Sequence, residues 1–155
     1  MTGIKFNESK LYVLDPISKV LSNYQQNKMM PAIDYLVMSL RDNKNVVTIN
    51  GEYVLVRINL YSKILKRYDS LYSERLNPYK ILRHFRNLKK INFLKFVKDS
   101  TRRWVCYINP RYFFKGDFIS IGLIGIFNEE EWFESRDIEG GTAVWKIYLY
   151  GLLVY

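Results

Sequence analysis

The segment from Leu60 to Arg103 combines two helical patterns with a pair of β-rich runs, and its second helix constrains the fold most. That helix opens Asn77-Pro78-Tyr79-Lys80 and continues Ile81-Leu82-Arg83-His84-Phe85-Arg86-Asn87-Leu88 towards Ile91. Asn77 suits an N-cap, because its side-chain oxygen can take an amide of the first turn that has no partner within the helix. Pro78 then falls at the first helical position, where a missing N–H costs nothing. At about 100° per residue, Ile81, Leu82, Phe85 and Leu88 share one narrow apolar face. Tyr79, Lys80, Arg83, Arg86, Asn87 and Lys90 occupy the other, which holds no carboxylate. A helix that is merely solvated usually mixes signs at i+3 and i+4. A uniformly basic face accepts self-repulsion instead and fits a polyanion, as a DNA-recognition helix does. His84 falls between the two faces and reads as a packing residue.

Charge along the chain points the same way. Residues 1–56 carry six Lys/Arg against five Asp/Glu, residues 57–115 carry sixteen against three, and residues 116–155 carry two against seven. The overall charge of +9 is therefore the work of the central segment. Concentrated positive potential attracts nucleic acid and supplies sequence-independent affinity through counterion release.

Upstream of the basic helix, Leu60, Ile64, Leu65 and Tyr68 keep helical spacing, and Asp69 to Ser73 connects the two helices. Downstream, Asn92 to Lys98 and Trp104 to Ile108 are β-rich runs around a polar tip with Lys98, Arg102 and Arg103. A basic hairpin of this kind beside a helix–turn–helix is a wing, which lies along the backbone or enters the minor groove. The order helix, helix, strand, basic turn, strand predicts a winged helix–turn–helix. The simpler alternative is an ordinary α+β domain whose exposed turn is basic.

At the N-terminus, the first dozen residues are weakly patterned and end in a short strand at Leu11–Leu14. Asp15-Pro16 reads as cap-then-proline before a short helix with Ile17, Val20 and Leu21, which Gln25-Gln26-Asn27 ends. Pro31 opens a second helix, with Ile33, Leu36, Val37 and Leu40 at core spacing and Asp42–Asn45 as its terminator. Val46–Ile49, Asn50-Gly51 and Tyr53–Ile58 form the clearest hairpin signal, since Asn-Gly readily takes the backbone angles of a tight turn. At the other end, Phe118–Phe127 reads as a buried or interface strand whose glycines permit close approach. Ala143–Tyr150 reads as another strand, continuing apolar to Tyr155.

Leu88-Lys89-Lys90-Ile91-Asn92-Phe93-Leu94-Lys95, Tyr107-Ile108-Asn109-Pro110 and Phe114-Lys115-Gly116 together resemble the RepL-type plasmid replication proteins and related winged-helix initiators. In those proteins a helix–wing segment is similarly followed by an Asn-Pro turn and a phenylalanine–lysine–glycine element. The resemblance covers roughly residues 60–116. It implies replication initiation or copy control, with host replication proteins as a candidate class of partner.

Apolar content of 48% and charged content of 25% belong to a globular chain. The single Cys106 excludes an intramolecular disulfide and a cysteine-cluster metal site, and reads as a small core residue. No basic leader precedes an apolar run and no apolar run is long enough to span a bilayer, so a cytoplasmic protein without membrane contact is expected. Glu129, Glu130, Glu131 and Glu134 are the only carboxylate cluster that invites a metal. Adjacent side chains diverge, however, and a solvated acidic turn or a partner-facing patch fits them better. No phosphate loop and no nucleophile–base pair is present. The chain is therefore expected to lack catalytic, cofactor and metal sites and not to be an enzyme.

The expected fold is α+β, a winged helix–turn–helix with N-terminal helices over residues 1–116. Additional β-strands over 117–155 would pack on the same domain or on a partner subunit. The expected function is sequence-specific binding of double-stranded DNA as a homodimer in plasmid or phage replication initiation or copy control. Lys80, Arg83 and Asn87 would read bases. Tyr79, Arg86 and Lys90, with Lys98, Arg102 and Arg103 of the wing, would lie nearer the phosphates. A transcriptional regulator uses the same binding chemistry. An interaction module whose basic face meets RNA or an acidic partner is the alternative from a different class.

Overall fold

The computed structural model describes residues 2–49, 52–53, 86–98, 100–102, 104–144, 147–149 and 152–154. The first helix of the expected pair and the start of the second, from Asn77 to Phe85, lie outside the described residues. So do Asn50-Gly51 and most of the run to Ile58.

The fold is mixed α+β with small antiparallel sheets. Strand β1 (Gly3–Val13) is the centre of the largest sheet, flanked by β6 (Phe113–Ser120) and β7 (Gly141–Val144). The N-terminal residues are thus a full strand and not a loose lead-in to Leu11. Alternation fails in them because the ladder is broken. Lys5 pairs with Phe118 and Lys10 with Gly116, so β1 bulges between them, and Asn7 to Lys10 are exposed. Gly116 sits at φ 137°, and a Cβ there would lie 2.1 Å from Asn43 Oδ1, so the position requires glycine.

After a 3₁₀ turn at Ile17–Lys19 comes α1 (Asn23–Met38). Its start corrects the expectation that Gln25-Gln26-Asn27 ends one helix and Pro31 opens another. Ser22 Oγ accepts from Gln25 N, and Gln25 Oε1 accepts from Ser22 N. This capping box makes the glutamines the first turn of one long helix. Met29, Ala32, Ile33, Leu36 and Val37 form its buried face.

β2 (Thr48–Ile49) and β3 (Glu52–Tyr53) pair with Ile49 opposite Glu52, the register expected for a two-residue connection. Residues 86–90 are helical (α2). β4 (Leu94–Lys98) and β5 (Trp104–Ile108) then form the expected hairpin, pairing Leu94 with Ile108 through Lys98 with Trp104.

The apolar run Phe118–Phe127 is half strand and half helix. β6 ends at Ser120, whose hydroxyl accepts from Leu123 N at 3.1 Å and caps α3 (Ile121–Ile126). A continuous apolar run carries no period that separates strand from helix, and the cap decides. Gly122 does not mediate close approach, because the nearest atom to an added Cβ is Ser120 Oγ at 3.9 Å. α4 (Glu130–Glu134) follows, then β7 and a final hairpin of β8 (Ile147–Leu149) and β9 (Leu152–Val154), where a single strand was expected.

Two apolar cores flank the β4–β5 hairpin. One joins α1, Val47, Leu88, Phe93 and Tyr112 to Leu94, Cys106 and Ile108. The other joins Ile4, Phe6, Phe114 and Ile119 to Leu123, Ile124, Phe127 and Phe133, with Tyr107 of the opposite hairpin face against it. Among the described residues no helix is long and apolar enough to cross a membrane.

Candidate nucleic-acid interface

The described part of the basic helix keeps the expected division of faces. Leu88 is fully buried, Arg86, Lys89 and Lys90 are exposed, and Asn87 is half-buried. The helix ends in a Schellman motif. Phe93 N donates to Leu88 O at 2.9 Å and Asn92 N to Lys89 O at 3.1 Å, with Asn92 at φ 60°. Leu88 and Phe93 both enter the first core, so the helix end and the hairpin share it.

The hairpin is stiffened on its far edge. Val46 pairs with Tyr107 in an antiparallel bridge, Val47 N donates to Cys106 O and Ile108 N to Asn45 O. Asn45 is fully buried at the junction. Its Nδ2 donates to the carbonyls of Ile108 and Phe113 at 2.8 Å each, and its Oδ1 accepts from Lys115 N at 3.1 Å. Lys95, on the hairpin face that Tyr107 shares, donates to Ile126 O at 3.0 Å, and Lys89 lies 5.4 Å from the Phe96 ring centroid. At the tip, Lys98 and Arg102 are exposed, and Arg102 adopts φ 62°. The exposed cations Arg86, Lys90, Lys98 and Arg102 thus belong to one helix–hairpin unit with a shared core. Tyr79, Lys80, Arg83 and Arg103 lie outside the described residues.

Behind this unit is an ionic and amide network that was not visible as such in the sequence. Asp15 was expected as a cap, but the N-cap of the 3₁₀ turn is Pro16. Asp15 is buried instead, with Lys19 Nζ and Arg111 Nε each 2.9 Å from its carboxylate. Burial pushes this carboxyl up, but the hydrogen bonds and charges of Lys19 and Arg111 outweigh it and hold the group below its ordinary value. Arg111 Nη1 reaches Glu129 Oε2 at 3.1 Å. Glu129 Oε1 also accepts from Asn92 Nδ2 and Asn109 Nδ2, both at 3.2 Å. The guanidinium lies 5.1 Å from the Trp132 ring centroid, and its own pKa is raised, because burial is outweighed by Asp15 and Glu129.

Glu129 is therefore not part of a solvated turn, since only 9% of it is exposed. Glu131 and Glu134 are exposed as expected, and Glu130 is half-buried. Among the described residues no group of three or more His, Cys, Asp or Glu side chains could hold a metal ion. The sequence signal for the network was the Asn109-Pro110 pair, which forms a turn, but nothing local announced its partners 17 to 20 residues away. Comparison with protein-family models, curated proteins and solved structures finds no match to this chain.

Proposed function

We propose that the chain is a sequence-specific double-stranded DNA-binding protein of the winged helix–turn–helix type, acting in plasmid or phage replication initiation or copy control. The observation that carries this is the joining of the basic helix end to a basic-tipped hairpin through one core, with exposed Arg86 and Lys90 on one arm and exposed Lys98 and Arg102 on the other. A rigid pair of cationic arms can span a groove and its flanking phosphates at fixed spacing. Further support comes from the order of elements. α1, the segment 46–47 on the far edge of β5, the basic helix end and the β4–β5 hairpin follow one another as in a winged helix. Replication is favoured over promoter control by the sequence resemblance alone.

In this reading Lys80, Arg83 and Asn87 contact bases, Tyr79, Arg86 and Lys90 lie nearer the phosphates, and Lys98, Arg102 and Arg103 hold the backbone or the minor groove. Two copies on a repeated or palindromic site multiply the few base contacts that one helix offers. Footprinting over the DNA that encodes the chain tests this. Protection of repeats in an origin is expected, protection of a promoter operator alone moves the role to regulation, and no protection at low salt refutes DNA binding.

A further inference from the structure

The left-handed residue that ends the basic helix is held by the C-terminal part of the chain. Asn92 adopts φ 60°, the conformation a Schellman motif needs at the residue after the cap. Backbone geometry alone would be met as well by glycine. Asn92 does more, because its Nδ2 donates to Phe127 O at 2.9 Å and to Glu129 Oε1 at 3.2 Å, just after α3. Its own carbonyl accepts from Asn109 Nδ2 at 2.9 Å, and Asn109 in turn donates to Glu129 Oε1. Arg111 anchors Glu129 from the other side and ties it to Asp15. One buried carboxylate thus gathers the end of the basic helix, the turn after the hairpin and the start of α4.

We propose that Glu129 and Asn92 are a positioning pair, a latch that fixes the direction of the basic helix relative to the β4–β5 hairpin. Neither touches the nucleic acid; both act through the helix that does. The proposal deepens the DNA-binding function above and rests on it for its functional consequence. Helix and hairpin are joined by only three residues, Ile91 to Phe93, so the helix can pivot about Asn92 while Leu88 remains in the core. A pivot at that point moves Arg86 and Asn87 relative to Arg102. Contacts to phosphates tolerate such a shift, whereas hydrogen bonds to base edges do not. The latch should therefore act on discrimination between sequences more than on total affinity.

The decisive variant is Asn92→Gly. It keeps the left-handed turn and removes both side-chain tethers, so the variant should fold with a lowered thermal midpoint. Loss of two hydrogen bonds of ordinary net strength corresponds to about tenfold in an equilibrium constant. Affinity for the footprinted duplex should fall by about that factor, while affinity for a random duplex of equal length stays within about twofold. Residual dipolar couplings of the free protein should show residues 86–90 no longer sharing one alignment frame with the hairpin. Glu129→Gln, which keeps an oxygen for Asn92 and Asn109, should retain most of the discrimination that Glu129→Ala loses.

Unchanged couplings and unchanged discrimination in Asn92→Gly would overturn the latch and leave DNA binding intact. A variant that fails to fold would overturn it also, because Asn92 would then be a structural requirement. Should the wild-type chain bind no duplex, the DNA-binding function falls, and the couplings alone decide whether the latch sets the helix.

Discussion

Asparagine side chains carry much of the polar architecture. Four of the five non-glycine residues with positive φ among those described are Asn43, Asn45, Asn92 and Asn128. Short amide side chains tolerate this conformation and can bond to nearby backbone, which is why each reads locally as a turn signal. Asn45 was legible to that extent in the Asp42–Asn45 terminator. Its role in joining β5 to β6 was not, because its partners lie more than 60 residues away. Replacing Asn45 with Ala leaves two carbonyls and one amide without their partner and should cost about 2–4 kcal/mol in urea unfolding. Asp15 gives a second prediction. Its folded value is below that of an unfolded aspartate, so its contribution to stability is complete above the unfolded value and is lost as pH falls through the folded one. Wild type should therefore lose more stability than Asp15→Asn between about pH 5 and pH 3, and the two curves should converge in acid. If they stay parallel, the ion pairs do not govern the group. Cys106 is buried with its thiol pushed up to about 12 by desolvation, in agreement with its reading as a core residue. Thiol reagents at pH 8 should label it only after unfolding.

At the scale of elements, legibility followed the strength of the local period. The β4–β5 hairpin could be read because two short apolar runs flank a charged tip, and the register places Leu94, Phe96, Cys106 and Ile108 on one side. Leu88 on the core face was likewise legible. α1 was misdivided because its capping residues are polar and its proline falls inside, so Ser22-x-x-Gln25 was a better signal than Pro31. Ser22→Ala should lower stability by about 1 kcal/mol, measurable by thermal or urea unfolding. The run Phe118–Phe127 defeated the period altogether, and a single serine cap redirects the chain. If the proposed DNA binding holds, the basic helix and the β4–β5 hairpin should separate by phenotype. Asn87→Ala should erode discrimination between the footprinted site and random sequence by about 1–3 kcal/mol. Arg102→Ala should weaken both kinds of duplex evenly. Equilibrium binding to both duplexes measures this, and the reverse pattern would mean that the hairpin reads the sequence.

For the molecule as a whole, charge is segregated while the apolar segments interlock. Apolar side chains that could have served a dimer, Ile33, Leu36 and Val37 in α1, Leu40 just after it, and Ile119, Leu123, Ile124 and Phe127, are buried in the chain's own cores. β7 is likewise committed, pairing with β1 from Gly3↔Val144 to Phe6↔Gly141. Deleting Ala143 to Tyr155 should therefore yield an insoluble chain and not a clean monomer. A dimer, which remains part of the proposal, has to use other surfaces, and sedimentation of the intact chain with its site duplex counts the copies. The proposed DNA binding rests on the cationic segment, sixteen Lys/Arg against three Asp/Glu over residues 57–115. The salt dependence of duplex binding tests it most directly. Six to eight phosphate contacts predict a log–log slope of about −5 to −7. A flat dependence, or no binding to any duplex at low salt, would contradict it.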